Sequence, residues 1–238
     1  MKKLLSGFAL IMAVLIASSS LAFAQKPNVY GNTGIDMGWP NCYNSVPRAA
    51  FGIVGVNYGE GYSQNPCLTK EASHFGNSLS LYANTGWYPL STYNDALSPK
   101  QCNTGDENCL AYNYGYNAGL YALNYARSQG ISSSQWWLDV ETGNTWSSSP
   151  VQNQNSLQGE YDALSANGAT TIGVYSTTIQ WDSITGNWLN NWPSWGATTW
   201  TSPRQAETYC TGHEFTGGPS YLMQYKSRSS RLDQDVSC

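Results

Sequence analysis

Charged residues and histidine are both scarce in this sequence. Asp, Glu, Lys and Arg make up 11% of the 238 residues, and His74 and His213 are the two histidines. The basic residues are scattered, which excludes the positive patch that nucleic acid binding requires. No Cys-x-x-Cys occurs and the histidines lie far apart, which argues against a zinc site. We therefore expect no metal, no cofactor and no nucleic acid partner.

Signatures of several enzyme classes are also absent. The chain has no Gly-x-Ser-x-Gly elbow, no His-Glu-x-x-His and no glycine-rich phosphate loop followed by Lys. His74 and His213 fit surface or core-edge positions better than the position of a catalytic base. These absences leave the carboxylates as the candidate catalytic groups.

No apolar run reaches the length of a membrane span. Residues 4–17 are mostly apolar, follow two lysines and precede a small-x-small tripeptide at 22–24. A span needs about 20 apolar residues, so the pattern predicts a cleaved signal peptide at 1–24, with an uncleaved anchor as the alternative. No linker, charge block or internal repeat divides the remainder. We expect one secreted domain, residues 25–238, that acts as a monomer without membrane contact.

The six cysteines all follow the predicted signal peptide. An even number of cysteines in an exported chain implies a disulfide framework, although the count alone leaves many connectivities open. Full pairing would leave no thiol to act as a nucleophile. The predicted pairs are Cys102–Cys109, which flank a short polar loop, and, as the most local remaining choices, Cys42–Cys67 and Cys210–Cys238.

Aromatic and neutral polar residues are plentiful where charge is not. The chain has 10 Trp and 17 Tyr, together with many Asn, Ser and Gly. Aromatic side chains combine a large apolar face with, in Tyr and Trp, a polar tip, and sugars stack their apolar faces on such rings while their hydroxyls bond to amides and carboxylates. This composition favours a carbohydrate partner, and a generic extracellular surface is the alternative.

Short apolar runs alternate with stretches of helical periodicity. The helical pattern is clearest over residues 110–125, which Gly130 would end, and 157–164, which Gly168 would end. Connections after Trp181 look short or irregular. About eight strands can be identified from their apolar and β-branched runs, at 34–37, 51–57, 79–82, 136–141, 170–175, 195–200, 221–225 and 233–236.

Strands that alternate with helices predict parallel pairing through crossovers. Eight strands with helices missing from part of the chain predict an α/β fold, a TIM-like (β/α) barrel with an incomplete helical ring. An open doubly wound sheet is the alternative. In both folds the active groups are expected at the carboxyl ends of the strands.

The segment 136–141 reads Trp-Trp-Leu-Asp-Val-Glu. Side chains alternate along a strand, so Trp137, Asp139 and Glu141 would share one face, with the two carboxylates about 6.6 Å apart along the strand. Adjacent acids in a partly dry pocket repel, so one keeps its proton and can act as a general acid. Glycosidic cleavage requires such an acid and a second carboxylate that stabilises positive charge. The competing interpretation is a polar strand end with both acids merely solvated.

Further acids lie at the two ends of the chain. Asp36 ends the first strand candidate, and Asp233 and Asp235 lie in the last. In a closed barrel the first and last strands are neighbours, so these acids would join Asp139 and Glu141 around one mouth. Aspartate also commonly starts turns and caps helices, which is the alternative for each of them.

The order of these segments resembles the glycoside hydrolase family 25 lysozymes. The resemblance implies a barrel with five helical connections and three helix-poor strands, approximately (β/α)5(β)3, and hydrolysis of the linkage between muramic acid and glucosamine in peptidoglycan. The chain departs from the family pattern just after Asp36, at 37–41, and after the second strand, at 57–61. The matching segments are 34–36, 51–57, 138–141, 173–176, 224–225 and 233–236.

The resemblance also implies residue roles. Glu141 would be the general acid and base, and Asp139 would orient the substrate N-acetyl group that attacks the anomeric carbon. Asp36 and Asp233 would complete the acidic mouth. The candidate substrate contacts are Trp137, Tyr175, Trp39, Asn57, Gln224 and Asp235.

Three hypotheses follow. The first is a hydrolase of an N-acetylated cell-wall polysaccharide, the second a non-catalytic carbohydrate-binding protein on the same fold, and the third a structural secreted domain. The hydrolase hypothesis requires that Asp36, Asp139, Glu141 and Asp233 converge in one cleft lined with aromatic rings.

Overall fold

The computed structural model describes residues 33–228 and 230–238, and the predicted signal peptide lies outside these ranges. The described chain closes into a barrel of eight strands in sequence order. No helix in this part of the protein is long and apolar enough to cross a membrane. The strands are β1 Thr33–Met37, β2 Phe51–Gly55, β3 Leu79–Asn84, β4 Gln135–Asp139, β5 Thr171–Ser176, β6 Ser194–Ala197, β7 Ser220–Tyr225 and β8 Asp233–Ser237.

Five α-helices cover part of the barrel. They follow β2 to β6, one in each connection, whereas the β1–β2 connection carries only a 3-10 turn and the described part of the β7–β8 connection carries no helix. This is the incomplete ring that the sequence predicts. The helices are α1 Leu68–Ala72, α2 Glu107–Ser128, α3 Pro150–Ala166, α4 Thr178–Thr185 and α5 Pro203–Glu207.

Each predicted strand corresponds to an observed one, with shifted ends. The main differences are that β2 ends at Gly55, β4 at Asp139 and β6 at Ala197, all earlier than the apolar pattern indicates. As a result Asn57 and Glu141 lie just beyond their strands. Positions immediately after a strand are where a barrel presents its functional side chains.

The last strand runs against the others. Strands β1 to β7 pair in parallel, but β8 is antiparallel to both β1 and β7. The parallel pairing that the alternation with helices predicts therefore does not extend to β8. Residues 226–232 are too few for a crossover, because a parallel connection needs about a dozen residues or more. The start of β8 consequently lies at the same end of the barrel as the ends of the other strands.

The alternation along β4 separates two cores. Trp136, Leu138 and Val140 pack in the layer between barrel and helices. Trp137 points the other way and packs with Trp195 among the side chains that fill the barrel. The predicted division of this segment into two faces is confirmed, and the filled barrel leaves space for a ligand only above this aromatic layer.

Helices α2 and α3 meet backbone to backbone through glycine. A Cβ atom added at Gly115 would lie 1.8 Å from the carbonyl oxygen of Ser156, and one at Gly159 would lie 2.0 Å from that of Tyr112. A contact this close leaves no room for any side chain. It holds α2 directly against α3.

All three predicted disulfides are present, and no cysteine of the described chain is free. Cys42–Cys67 ties the β1–β2 connection to the start of α1. Cys102–Cys109 closes the end of the β3–α2 connection onto α2, and Cys210–Cys238 ties the segment after α5 to the end of β8. Each bridge holds a loop that the barrel hydrogen bonds do not hold.

Candidate active site

Four acids from distant parts of the sequence meet at one mouth of the barrel. Asp36 near the end of β1, Asp139 at the end of β4, Glu141 just after it and Asp233 at the start of β8 line a single cleft of about 270 Å³. Asp233 reaches this mouth because β8 is antiparallel, which places it directly opposite Asp36 in the β1–β8 register. Tyr82, Tyr175, Trp195 and Gln224 also line it, together with Gly38, Pro40 and Asn41 of the connection after β1.

Asp139 is held from several directions. Its side chain is 5% exposed, and its Oδ2 accepts a short hydrogen bond from the side-chain amide of Asn84. Its backbone oxygen accepts hydrogen bonds from Thr85 Oγ1 at 2.6 Å and from Asn144 Nδ2 at 3.0 Å. The Asn84 amide thus holds one carboxyl oxygen, and the two backbone hydrogen bonds fix the end of β4 that carries the side chain.

The ionisation of Asp139 and that of Glu141 depend on each other. Burial and the negative charges of Glu141 and Asp36 raise the pKa of Asp139 well above its usual range. Asp139 then donates a hydrogen bond to the Glu141 carboxylate, which raises the pKa of Asp139 further. The pKa of Glu141 is also raised, by burial, although the hydrogen bonds from Gln180 and Asp139 oppose this shift. The pair can therefore keep one proton at a pH where a solvated carboxyl group has lost it.

Gln180 holds the Glu141 side of this pair. The Gln180 Oε1 atom accepts hydrogen bonds from Thr142 N at 2.6 Å and from Thr142 Oγ1 at 2.9 Å. Its amide group is thereby turned towards Glu141, to which it donates a hydrogen bond. Trp146 Nε1 donates to the Glu141 backbone oxygen at 2.8 Å. The turn after β4 is thus fixed at both its backbone and its side chain.

A second hydrogen-bonded group of side chains surrounds Asp36. Gln224 Nε2 donates to Asp36 Oδ2 at 2.9 Å, and Tyr175 Oη donates to Gln224 Oε1 at 2.9 Å. Burial, followed by the charge of Asp233, raises the pKa of Asp36 to about 7. Asp235 lies beneath, fully buried, and accepts a 2.8 Å hydrogen bond from Trp195 Nε1. Burial and the charge of Asp36 raise the pKa of Asp235 well above its usual range.

The predicted substrate contacts do not all reach the cleft. Tyr175 and Gln224 line it. Trp39 stands beside it in the 3-10 turn Trp39–Asn41, stacked on Tyr58 with 3.8 Å between ring centroids.

Three predicted contacts lie below the surface instead. Trp137 is fully buried against Trp195, Asp235 is fully buried, and Asn57 is 3% exposed. Asn57 Oδ1 accepts a hydrogen bond from the backbone N–H of Asn84 at 2.9 Å, so it supports the ends of β2 and β3. None of the three lines the cleft, because the barrel layer at their level is already filled.

Sequence reasoning missed Tyr82, Asn84 and Trp195. Tyr82 fits because Gly38 and Gly55 leave space: a Cβ atom at either position would lie 2.5 Å from the Tyr82 ring or hydroxyl. Asn84 is in register with Asp139 on the adjacent strand. The available signals were the polar residue that ends β3, the glycine just after the first strand candidate and the glycine within the second.

No group of His, Cys, Asp and Glu within residues 33–228 and 230–238 has the arrangement of a metal site. The chemistry open to the cleft is that of carboxyl groups close enough to exchange a proton, next to a tyrosine and an amide. Such a group can donate a proton to a leaving oxygen and stabilise an adjacent positive charge.

Comparison with known proteins identifies the same family as the sequence motifs. The family model for Lysozyme-like protein 1 matches residues 108–217, a range that contains Asp139 and Glu141. A curated relative, the probable family 25 lysozyme 5 of Dictyostelium discoideum, is 36% identical over 64 residues. Over this part of its length the chain is similar to the glycoside hydrolase family 25 lysozymes. The match covers 26% of this chain and 30% of that relative, so the likeness in sequence is confined to part of both.

Solved structures extend the likeness to the whole barrel. A muramidase from Trichobolus zukalii superposes with a TM-score of 0.54 at 16% identity, over 87% of this chain and 94% of that one. A family 25 glycosyl hydrolase from Bacillus anthracis gives a TM-score of 0.52 at 12% identity, over 92% and 94%. At such identities the comparison establishes the fold alone: the chain has the TIM-like barrel of these two structures.

Proposed function

We propose that this protein is a secreted glycoside hydrolase that cleaves an N-acetylated cell-wall polysaccharide in the manner of a muramidase. The observation that carries the proposal is the convergence of Asp36, Asp139, Glu141 and Asp233 in one cleft at the mouth of the barrel. Glu141 is the general acid and base, and Asp139 acts on the acetamido group of the substrate. The family 25 relatives support this reaction class.

The contact between the two carboxyl groups favours a substrate-assisted route. In enzymes whose carboxylate attacks the sugar, that carboxylate and the acid stand about 5–5.5 Å apart. Asp139 and Glu141 lie close enough together that each alters the pKa of the other, so we assign neither of them the role of a nucleophile that attacks the sugar. The acetamido oxygen of the substrate is then the nucleophile, and Asp139 positions it.

Proton transfer within the pair connects binding to catalysis. When the acetamido N–H approaches Asp139, this residue passes its proton to Glu141 and accepts the N–H as a carboxylate. Glu141 then protonates the leaving glycosidic oxygen while the acetamido oxygen bonds to the anomeric carbon and the glycosidic bond breaks. Water attacks the anomeric carbon of the resulting oxazolinium ion, the ring opens, and Glu141 takes a proton from that water. The leaving oxygen takes one proton from the pair and the water returns one. The pair therefore ends with the same number of protons as at the start.

The remaining acids stabilise the transition state. Positive charge develops on the sugar ring as the bond to the leaving oxygen breaks, and Asp36 and Asp233 lie in the same cleft. Gln224 and Tyr175 hold Asp36 through two 2.9 Å hydrogen bonds, so its position is set before the substrate arrives. Preorganised groups of this kind cost no reorganisation during the reaction.

The decisive experiment measures reducing ends released from purified peptidoglycan and from chitin by the mature protein. The wild-type protein should release them, and Glu141→Gln should abolish the release with an unchanged circular dichroism spectrum. Glu207→Gln, an exposed residue of α5, is the matched control and should retain full activity. Release of reducing ends by Glu141→Gln would show that Glu141 is not the general acid and base. Glycan binding by the wild-type protein without product would instead favour the non-catalytic carbohydrate-binding hypothesis.

Export is part of the proposal. Three disulfides support an oxidising destination. Secreted material should begin at Gln25 when its N-terminus is determined by mass spectrometry, and it should elute as a monomer in size-exclusion chromatography. Retention of residues 1–24 in the membrane fraction would favour the uncleaved anchor.

A further inference from the structure

A second cleft lies beside the acidic one. It has a volume of about 260 Å³ and is formed by the connections that follow β2, β3 and β4. Tyr88, Tyr93 and Tyr114 supply its aromatic lining, and Gly143 and Asn144 form part of the side next to β4. We call it the tyrosine groove.

The tyrosine groove borders the catalytic pair directly. Thr85 and Asn144 both line the groove, and both donate hydrogen bonds to the backbone oxygen of Asp139, at 2.6 and 3.0 Å. A Cβ atom added at Gly59, also in the groove, would lie 3.7 Å from the Trp39 indole nitrogen at the edge of the acidic cleft. The walls of the groove and of the acidic cleft therefore meet at Asp139 and at Trp39.

The aromatic wall of the groove is built before any ligand arrives. Tyr93 stacks face to face on Tyr62, with ring centroids 4.1 Å apart and planes within 2°. Tyr62 donates a 2.7 Å hydrogen bond to the backbone oxygen of Tyr114 and has a backbone φ of 56°. Such a conformation is costly for a bulky residue and persists where its surroundings hold it, often at binding sites.

The connection that carries Tyr88 and Tyr93 is itself tied down. Asn113 on α2 donates hydrogen bonds of 2.7 Å to the backbone oxygens of Asp95 and Lys100. The disulfide Cys102–Cys109 closes the end of the same connection. A preordered loop loses little entropy when it binds a ligand, so its contacts contribute more of their energy to affinity.

The lining specifies a neutral, hydroxylated ligand. Among the described residues that line the groove, Glu60 is the single charged one, and the others are tyrosines, glycines, hydroxyl residues and an amide. Tyr88 and Tyr93 are 46% and 52% exposed, so their rings are available to a ligand. Flat aromatic faces next to hydroxyl and amide groups match the alternating apolar faces and hydroxyls of a sugar ring.

We propose that the tyrosine groove binds further sugar units of the glycan whose linkage lies at Asp139 and Glu141, so that the protein selects long chains over short ones. The inference rests on the proposed function and adds a determinant of chain length to it. Tyr88 and Tyr93 are the stacking residues, and Asn144 links the groove to the catalytic pair.

Two variants test the groove without touching the acidic cleft. Tyr88→Ala removes an exposed ring. Gly143→Trp fills the groove: a Cβ atom there meets nothing within 4 Å, and the backbone φ is one that other residues adopt, so the indole enters open space. The matched controls are Tyr43→Ala, which removes a ring that is 90% exposed elsewhere, and Leu189→Trp, which adds an indole at a distant position that is 68% exposed.

The experiment measures the affinity of N-acetylchitooligosaccharides of two and six units by calorimetry, in the Glu141→Gln background so that no turnover occurs. We expect the six-unit chain to bind at least tenfold more tightly than the two-unit chain. Tyr88→Ala and Gly143→Trp should remove that difference, while both controls should keep it. If the two variants weaken the binding of both chains equally, or of neither, the proposal that the groove binds further sugar units is wrong.

A parallel assay separates this inference from the proposed function. The same two groove variants are made in the active protein, and release of reducing ends from long and short chains is compared. Chain-length-dependent binding without any hydrolysis would contradict the proposed function and leave the groove in place. If Tyr88→Ala and Gly143→Trp do not change how hydrolysis depends on chain length, the proposed role of the groove is wrong. The proposed hydrolase function is then unaffected.

Discussion

Asp36 faces Asp233 across the antiparallel pair of β1 and β8, and the charge of Asp233 contributes to the raised pKa of Asp36. The two residues come from opposite ends of the domain. Their proximity concentrates negative charge in a cleft that already contains Asp139 and Glu141. Such a cleft suits a reaction in which positive charge develops on the substrate.

Removing this like charge should lower the pKa of Asp36. In Asp233→Asn the Coulombic contribution disappears while burial, the larger cause, remains. The pKa of Asp36 should therefore fall below about 7 but stay above the usual aspartate value. Titration of the carboxyl carbon by NMR measures it, with Asp182→Asn, an exposed residue of α4, as the control. An unchanged pKa of Asp36 would show that the two carboxylates do not interact.

Thermal stability should fall as the pH rises towards neutrality. Asp36, Asp139 and Asp235 all have raised pKa values in the folded protein. Between the unfolded pKa of about 4 and the folded value of about 7 for Asp36, the folded state binds more protons than the unfolded one. The free energy of unfolding then decreases with increasing pH.

Calorimetric scans between pH 4.5 and pH 8, as approximate limits set by these pKa values, measure the effect. We expect the Tm to drop by at least about 5 °C across that window, given the usual size of Tm shifts for a domain of this length. Asp36→Asn should flatten the slope because one of the titrating groups is gone. A Tm that rises over the same range would contradict the protonated state of the buried acids.

Asp139→Asn should separate binding from catalysis. The amide keeps the shape of the side chain but cannot carry the shared proton or become the carboxylate that positions the acetamido group. We expect kcat to fall by about 10²- to 10⁴-fold, the usual contribution of a positioned proton-transfer group. KM should change much less, and Asp182→Asn should leave both constants unchanged. A raised KM with an unchanged kcat would contradict the role of Asp139.

Trp39 and Trp137 should respond differently to truncation. Trp39 stands beside the acidic cleft and Trp137 is buried inside the barrel. Trp39→Ala should weaken glycan binding in calorimetry with little change in Tm. Trp137→Ala should lower the free energy of unfolding by about 3–5 kcal/mol, as is typical of a buried aromatic residue. Loss of glycan binding by a Trp137→Ala protein of unchanged stability would contradict the placement of Trp137 in the barrel interior.

Gly115→Ala should destabilise the protein because of the close contact between α2 and α3. Its Cβ atom would lie 1.8 Å from the backbone oxygen of Ser156, which no side-chain rotation can relieve. The expected loss is at least about 2 kcal/mol, within the range of overpacked cores. Gly143→Ala is the matched control, since its Cβ atom meets nothing within 4 Å. Denaturant unfolding compares the two, and equal midpoints would disprove the close contact.

Much of the architecture follows from local patterns. The eight strands and the helices α2 and α3 can be predicted from the spacing of apolar residues. This is possible because apolar residues recur with a different period in a strand and in a helix, and a short segment of sequence is enough to tell the two apart. The three disulfides follow from local pairing. The face of β4 that carries Asp139 and Glu141 follows from strand alternation alone. The positions of Asp36 and Asp233 at the first and last strands predicted that they join this mouth, and the resemblance to family 25 then implied a role for each acid.

Other features depended on closure of the barrel. Strand alternation places Trp137 and Asp139 on one face but does not reveal that the first lies in a filled layer and the second at the open end. That distinction arises because Gly173 leaves room for the Trp137 ring, at 2.3 Å from where a Cβ atom would be. The same closure buries Asp235 against Trp195 and makes Asn57 a support for β3.

The sequence by itself determined which residue types face the same way, since side-chain direction is set by the local backbone. The tertiary structure alone decided how far each lies from solvent and which distant segments meet. The short β7–β8 connection reverses β8 and brings Asp233 opposite Asp36. The packing of the β3–α2 connection onto Tyr62 creates the tyrosine groove. Both outcomes depend on contacts between segments far apart in the chain, which no local periodicity encodes.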